Sequence, residues 1–393
     1  MRITRRSWLL PAPTAFVLAW GGNHFTPLLH LYESLGGYAP WQANLLLGMY
    51  VFGLIPGLLV AAAFSDQYGR KKAAWIGLVS SALASILLAC GFNAFALLCI
   101  GRVFAGLGVG VAMSVGSSWI KELSANAPSP TAGARRSSMT LTLGFGLGAG
   151  VTGVLAQYGP IPAQLPYFVH LALCVIAAIA LVRAPESLPV AERSTTPWWK
   201  DLKVPAAGHR TFLRIVLPAA PWIFAAAGVA YAIMPSVVEH RLGEHATLYA
   251  TVLTVITLGV GAVFQTLVPW INRVTRGRAL IVGLIGMTIG MILAAVSAKV
   301  GNPGLAVVVA AVLGASYGVS VVSGLIIAQS IANPSDLAGI TGVYYSLTYV
   351  GFLLPTIVAA LLPVLSYVAS LVIIALICAV CLSLVITGMR RTS

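Results

Sequence analysis

Residues 65–72 read Ser-Asp-Gln-Tyr-Gly-Arg-Lys-Lys. The octet follows the apolar run Leu58-Leu59-Val60-Ala61-Ala62-Ala63-Phe64 and precedes Ala73-Ala74-Trp75-Ile76. An acid closes the first run, a glycine offers the turn, and three cations open the second. The pattern reads as a short basic loop joining two membrane-spanning helices. Short loops with that charge stay on the cytoplasmic side of a membrane.

Composition extends the reading to the whole chain. Of 393 residues, 59% are hydrophobic and only 8% charged. A soluble chain carries about a quarter charged residues, so this one cannot cover a water-facing surface, and its solvent is lipid. At roughly 20 apolar residues per crossing, about a dozen spans fit. We expect them over residues 8–29, 41–64, 73–92, 95–119, 137–157 and 166–184, then 212–237, 247–270, 279–298, 304–331, 338–361 and 366–389. The expected fold class is an all-α membrane protein of 12 transmembrane helices in two pseudo-symmetric six-helix bundles. Met1 to Arg6 with Leu9 to Trp20 has the outline of a secretory leader. Many further spans follow and no cleavage site stands out, so the stretch reads as the first span.

Charge placement gives orientation. Alternate loops hold Arg70, Lys71, Lys72, Lys121, Arg135, Arg136, the cations of the central linker, Arg273, Arg276, Arg278, Arg390 and Arg391; the opposite set holds only Arg241 and Lys299. That bias puts both termini in the cytoplasm, with the chain integral to the plasma (inner) membrane. The formal charge of +14 is spread over these short clusters rather than over one folded basic face, which argues against nucleic acid as a partner. Cys90, Cys99, Cys174, Cys378 and Cys381 all lie in apolar runs. The Cys378/Cys381 pair has no histidine or acid beside it, so neither a metal site nor a disulfide framework is implied.

The stretch from Pro185 to Thr211 is too polar to span and sits at mid-chain. It divides the chain into an N-terminal bundle (1–186), a cytoplasmic linker (187–211) and a C-terminal bundle (212–393). Trp198, Trp199 and Lys200 suit either an amphipathic segment on the inner headgroups or a plain connector. Asn272-Arg273-Val274-Thr275-Arg276-Gly277-Arg278 repeats the basic loop after the second span of the second half, without its acid. Repeated six-helix units are a mark of transporters with pseudo-symmetric halves.

With the twelve spans and the central linker, Asp66-Gln67-Tyr68-Gly69-Arg70-Lys71 resembles the loop motif Gly-x-x-x-Asp-x-x-Gly-Arg-Lys of the major facilitator superfamily. The resemblance covers nearly the whole chain; Ala62 stands at the motif's first glycine. It implies a conformational latch. Asp66 would meet the N-terminal end of the eleventh span, near Ser335 and Asp336, while Arg70 bridges nearby carboxylates, with Gly69, Lys71 and Glu122 in the same set. The plainer reading of the octet is a stop-transfer loop. Arg102-Val103-Phe104-Ala105-Gly106-Leu107-Gly108-Val109-Gly110 resembles the family's fourth-span motif. Arg102 either serves substrate or proton binding, or snorkels toward the outer surface. Gly144-Phe145-Gly146-Leu147-Gly148-Ala149-Gly150-Val151-Thr152-Gly153 resembles the fifth-span motif of the family's 12-helix drug/proton antiporters. Ala149 stands at its proline and Thr152 at one glycine. Gly144, Gly148 and Gly153 would form a small face, suited to a hinge against the eighth span.

None of the nine acids falls in the middle of a span. The titratable candidates for proton coupling or substrate binding are therefore His24, beside Asn23 and after Gly21-Gly22, with His30 and Glu33 near the outer end of the first span and His170 near the outer surface. Each histidine equally suits a satisfied residue in a tight helix interface. Trp222, Tyr231, Tyr345 and Tyr349 are cavity-lining candidates for a largely apolar solute, or interface anchors. Tyr345 and Tyr349, four apart, share a helix face. No phosphate-binding loop or catalytic set is present, so the chain reads as a non-enzyme with no cofactor, powered by a proton gradient.

The expectation is a monomeric secondary active transporter with a small-molecule substrate and membrane lipids as its partners. It moves a small, largely apolar organic solute by alternating access, as proton-coupled efflux. An uncoupled facilitator or importer of a metabolite, a lipid flippase, and a non-transporting receptor or scaffold are the alternatives.

Overall fold

The computed structural model describes residues 6–127, 132–193, 204–333 and 337–392. Helices and turns account for the regular structure, and no strand occurs among the described residues. In lipid a spanning segment must satisfy its own backbone groups, which a helix does. Eleven of the described helices are long and apolar enough to cross a membrane: α2 (Pro40–Tyr68), α3 (Arg70–Cys90), α4 (Phe95–Glu122), α5 (Ala132–Tyr158), α6 (Leu165–Arg183), α7 (Phe212–Arg241), α8 (Gly243–Val274), α9 (Ala279–Val300), α10 (Pro303–Ser330), α11 (Gly339–Leu361) and α12 (Tyr367–Arg391).

The first expected span is broken. Helix α1 covers Ala12–Asn23, a 3-10 turn follows at Thr26–Leu28, and a short helix covers Leu29–Ser34. Gly21, Gly22 and Asn23 are weak helix formers, and Pro27 removes a backbone donor. With this segment the chain is an all-α membrane protein of twelve spans.

Two compact units make up the chain. One comprises Met1–Leu28 and Met49–Lys203; the other comprises Leu29–Gly48 and Val204–Ser393. Each is held by the same device. Lipid gives helices no hydrophobic reason to associate, so small residues that let backbones touch do that work. In the first unit, a Cβ on Gly57 of α2 would stand 2.8 Å from the Leu107 carbonyl oxygen of α4, and one on Gly110 would stand 2.6 Å from Gly57. In the second unit, a Cβ on Gly314 of α10 would stand 2.5 Å from the Thr257 carbonyl oxygen of α8. Gly318 meets Gly261 in the same way. The second and fourth spans of each unit thus meet at a glycine pair, Gly57 with Gly110 and Gly261 with Gly318, a repeat that adds to that of the basic loops.

The glycine face of α5 corrects an expectation. Read from sequence as a hinge against the eighth span, it is filled by α1 of its own unit. A Cβ on Gly144 would stand 2.5 Å from the Phe16 carbonyl oxygen, and one on Gly148 would stand 2.7 Å from that of Trp20. Gly153 is buried on the same helix. Polarity runs inside out, as lipid demands. Val175, Ile176, Ile179 and Val182 of α6 are exposed, while Ser80, Ser81, Ser85, Thr152 and Arg102 are buried. Cys378 is buried too, with the Thr288 hydroxyl 3.5 Å from its sulfur, as a packing residue would be.

Candidate functional site

The octet 65–72 is not a loop. Helix α2 runs on through Tyr68, and α3 begins at Arg70. The whole reversal is carried by Gly69, with φ +100°. Residues with a Cβ rarely adopt that conformation, so one glycine replaces the loop.

The tight turn delivers Arg70 into a cluster of carboxylates. Its guanidinium bonds Asp66 and Ser65 on α2, and reaches Glu122 at the end of α4 through Nη2 at 2.9 Å and Nε at 3.2 Å. Glu122 also accepts from the Ser187 hydroxyl. The first amides of α3 would otherwise lack acceptors. Glu186 supplies them, accepting from the Arg70 amide at 3.0 Å and the Lys71 amide at 3.1 Å. A carboxylate at a helix N-terminus is also favoured by the helix dipole. Lys71 answers at the other polarity: its Nζ donates to the carbonyls of Val182 (2.8 Å) and Ala184 (3.1 Å) at the end of α6. Glu186 and Ser187 were not singled out from sequence. The available signal was an isolated acid just after a span, opposite three cations. Ser335 and Asp336, the expected partners of Asp66, lie outside the described residues.

A second cluster surrounds the break after α1. Arg102 on α4 is fully buried. Its guanidinium lies over the Phe25 ring at 4.4 Å and the Tyr50 ring at 4.9 Å. Two aromatic faces offset part of the cost of burying the charge. The snorkelling reading is therefore set aside, because the side chain is held inside the unit. Asn23 donates to the Phe145 carbonyl at 3.2 Å and accepts from the Thr26 hydroxyl at 3.0 Å.

His24 and His170 form a stacked pair, with ring centroids 4.9 Å apart and 28° between planes. A carbonyl only accepts, so hydrogen bonding sets each tautomer. His170 Nε2 donates to the Val17 carbonyl at 3.0 Å, leaving Nδ1 to accept from Ser85 at 2.7 Å. His24 Nδ1 faces the Trp20 carbonyl at 3.3 Å, and its ring meets Tyr167 edge-on. The His24 Nε2 atom has no hydrogen-bond partner among the described residues. His170 is fully buried, with Val17 of α1 and Ser85 of α3 hydrogen-bonded to its ring. Phe25, Tyr50 and Ser85 were not read as partners from the sequence.

The second unit gathers aromatic side chains. Phe224 on α7 stacks on Tyr349 of α11 at 4.1 Å and 19°, and sits 4.8 Å from Phe352 and 5.4 Å from Tyr317. Tyr231 lies in a π-helical turn, Val229–Ile233. Pro235 cannot donate to the carbonyl four residues back, that of Tyr231, which relaxes the helix there. Tyr231 and Trp222 are buried, and Tyr345 is half-buried against Tyr344. Phe224, Tyr317 and Phe352 join this set without having been foreseen. Glu33, on the short helix beyond the first span, is also in the second unit. Burial first, and the Glu239 carboxylate second, raise its pKa to about 7.

Known proteins resemble this chain in sequence or in fold. The curated relatives include the Probable inositol transporter 2 of Arabidopsis thaliana, 34% identical over 84 residues, and Glucose transporter 2C of Trypanosoma brucei brucei, 32% identical over 92 residues. The matches take in 21% and 23% of this chain, and only 14% and 27% of those relatives' lengths. Among solved structures, the nucleoside transporter NupG superposes with a TM-score of 0.71 at 12% identity, over 98% of this chain and 99% of that one. The xylose transporter XylE from E. coli gives 0.69 at 16% identity, over 95% of each chain. At such identities the likeness is one of fold. The family model for the Major Facilitator Superfamily matches residues 12–234, more than half of the chain. The chain belongs to the major facilitator superfamily of membrane transporters.

Proposed function

We propose that this protein is a secondary active transporter of a small, neutral, hydroxyl- or amide-bearing organic solute. The observation that carries the reading is Arg102: a fully buried guanidinium clamped between Phe25 and Tyr50, next to the helix break at Asn23 and His24. Burying a cation at membrane depth costs several kcal/mol and marks function in membrane proteins. A guanidinium offers donors, and the His24 Nε2 atom offers an acceptor. The aromatic set of the second unit suits the apolar face of a sugar ring or a base. Relatives and fold neighbours are described as transporters of inositol, glucose, xylose and nucleosides, which supports a polar cargo. The protein acts as a monomer in the plasma (inner) membrane, exposes its site to the two sides in turn, and keeps both termini in the cytoplasm. The bias of Lys and Arg among its loops supports that orientation.

A second reading is proton-coupled export of a more apolar solute. It is favoured by the aromatic set around Phe224 and by the glycine pattern of α5. Purified protein in liposomes separates the two. Uptake of labelled hexoses, pentoses, cyclitols and nucleosides, with and without an imposed pH gradient, is expected to reveal one saturable polar cargo. Movement of apolar cations alone, driven by the gradient, would favour the second reading.

A further inference from the structure

His30 and Glu33 are three residues apart on the short helix Leu29–Ser34, so they share one face. Glu239, near the end of α7, meets that face within the same unit. His30 Nδ1 is 3.4 Å from Glu239 Oε1. One ligating atom from each of the three residues lies within 4.8 Å of the other two. Among the described residues, Glu33 forms no hydrogen bond or ion pair, and no lysine or arginine pairs with Glu239. The two basic residues that follow Glu239 have other contacts: Arg241 donates to the Val300 carbonyl, and the His240 ring lies against Gly301. Tyr367 borders the pair of acids, with its hydroxyl engaged by Ser236. Two neighbouring carboxylates without a cation repel each other, and a positive ion relieves that repulsion.

We propose that His30, Glu33 and Glu239 bind a single divalent transition-metal ion, of which Zn2+ fits best. One imidazole and two carboxylates make a three-ligand set with a fourth position open. Ligands about 2.1 Å from Zn2+ stand roughly 3.4 Å apart in a tetrahedron, and the His30–Glu239 distance already has that value. Glu33 closes the set with a rotamer change. Mg2+ and Ca2+ prefer six or more oxygen ligands, so a nitrogen-containing set of three selects against them. The bound ion ties the short helix Leu29–Ser34 to the end of α7. This inference is independent of the cargo proposed above.

The test uses the full-length protein in detergent, stripped with a chelator and titrated with Zn2+. Equilibrium dialysis with elemental analysis should find one ion per chain, and the melting temperature should rise on Zn2+ addition but not on Mg2+ addition. Glu33→Gln, Glu239→Gln and His30→Gln should each weaken binding by about a hundredfold or more, since even the outer partners of metal ligands are worth about 10- to 100-fold. His209→Gln and His245→Gln should leave binding unchanged. X-ray absorption of the wild-type zinc complex needs no variant, and should show imidazole and oxygen ligation. Absence of stoichiometric Zn2+, sulfur ligation, or undiminished binding by Glu33→Gln would each overturn the proposal.

Discussion

Gly69 and Arg102 are two residues whose surroundings dictate their identity. Gly69 holds φ +100°, and a Cβ there would stand 2.5 Å from Glu186 Oε2. Gly69→Ala therefore meets both backbone strain and the carboxylate that caps α3. We expect it to lower stability by about 1–3 kcal/mol, read as a fall in the melting temperature in detergent. Gly208→Ala, where nothing lies within 4 Å, serves as the control and should melt like wild type. Arg102 combines charge with a flat face that stacks. Arg102→Ala should leave the protein monodisperse and reduce flux by about a hundredfold, the scale of losing a desolvated cation–π pair and a donor to cargo. Arg102→Lys should fall between, because an ammonium keeps the charge but not the planar fork. Wild-type flux in Arg102→Ala would remove this residue from the account.

Helices read well from sequence where a strong local rule governs them, and poorly where a distant segment decides. The break after α1 was not read: Gly21, Gly22, Asn23 and Pro27 carry a local signal for it, yet the sequence reading kept a single span over residues 8–29. The basic octet marked the turn between α2 and α3, but the reading allotted eight residues to what Gly69 does alone. Partners were harder. Arg70 and Glu122 are 52 positions apart, and Ser85 and His170 are 85 apart. No periodicity carries such pairings; only packing does. The small face of α5 was legible as a face, but which helix fills it was not. That face gives a prediction on one helix. A Cβ at Gly144 would stand 2.8 Å from that of Ala19, whereas Gly146 has nothing within 4 Å. Gly144→Leu should destabilise by about 1–3 kcal/mol through overpacking, and Gly146→Leu should be close to neutral. Equal melting temperatures for the two variants would contradict the α1–α5 contact.

At the scale of the molecule, composition alone indicated lipid as the solvent and about a dozen spans. The family followed from a motif and was established by a match over residues 12–234. Cargo was the least legible property. The sequence reading favoured an apolar solute because the aromatic candidates Trp222, Tyr231, Tyr345 and Tyr349 suit one. Buried polar groups at Asn23, His24 and Arg102 shift the proposal toward a solute that accepts and donates hydrogen bonds. Asn23 and His24 are neighbours at the end of α1, but Arg102 comes from α4, so its place beside them could not be read from spacing. Orientation has its own measurement. A single cysteine placed at Arg276 in a cysteine-free background should react with an impermeant thiol reagent only after the membrane is opened, since the loop is assigned to the cytoplasm.

Flux through the purified protein tests the proposed transport most directly. Reconstituted in liposomes and offered the panel of sugars, cyclitols and nucleosides, the wild type should carry one class with saturable kinetics, and Arg102→Ala should not. A folded, correctly inserted wild-type protein that moves none of them faster than empty liposomes would contradict it.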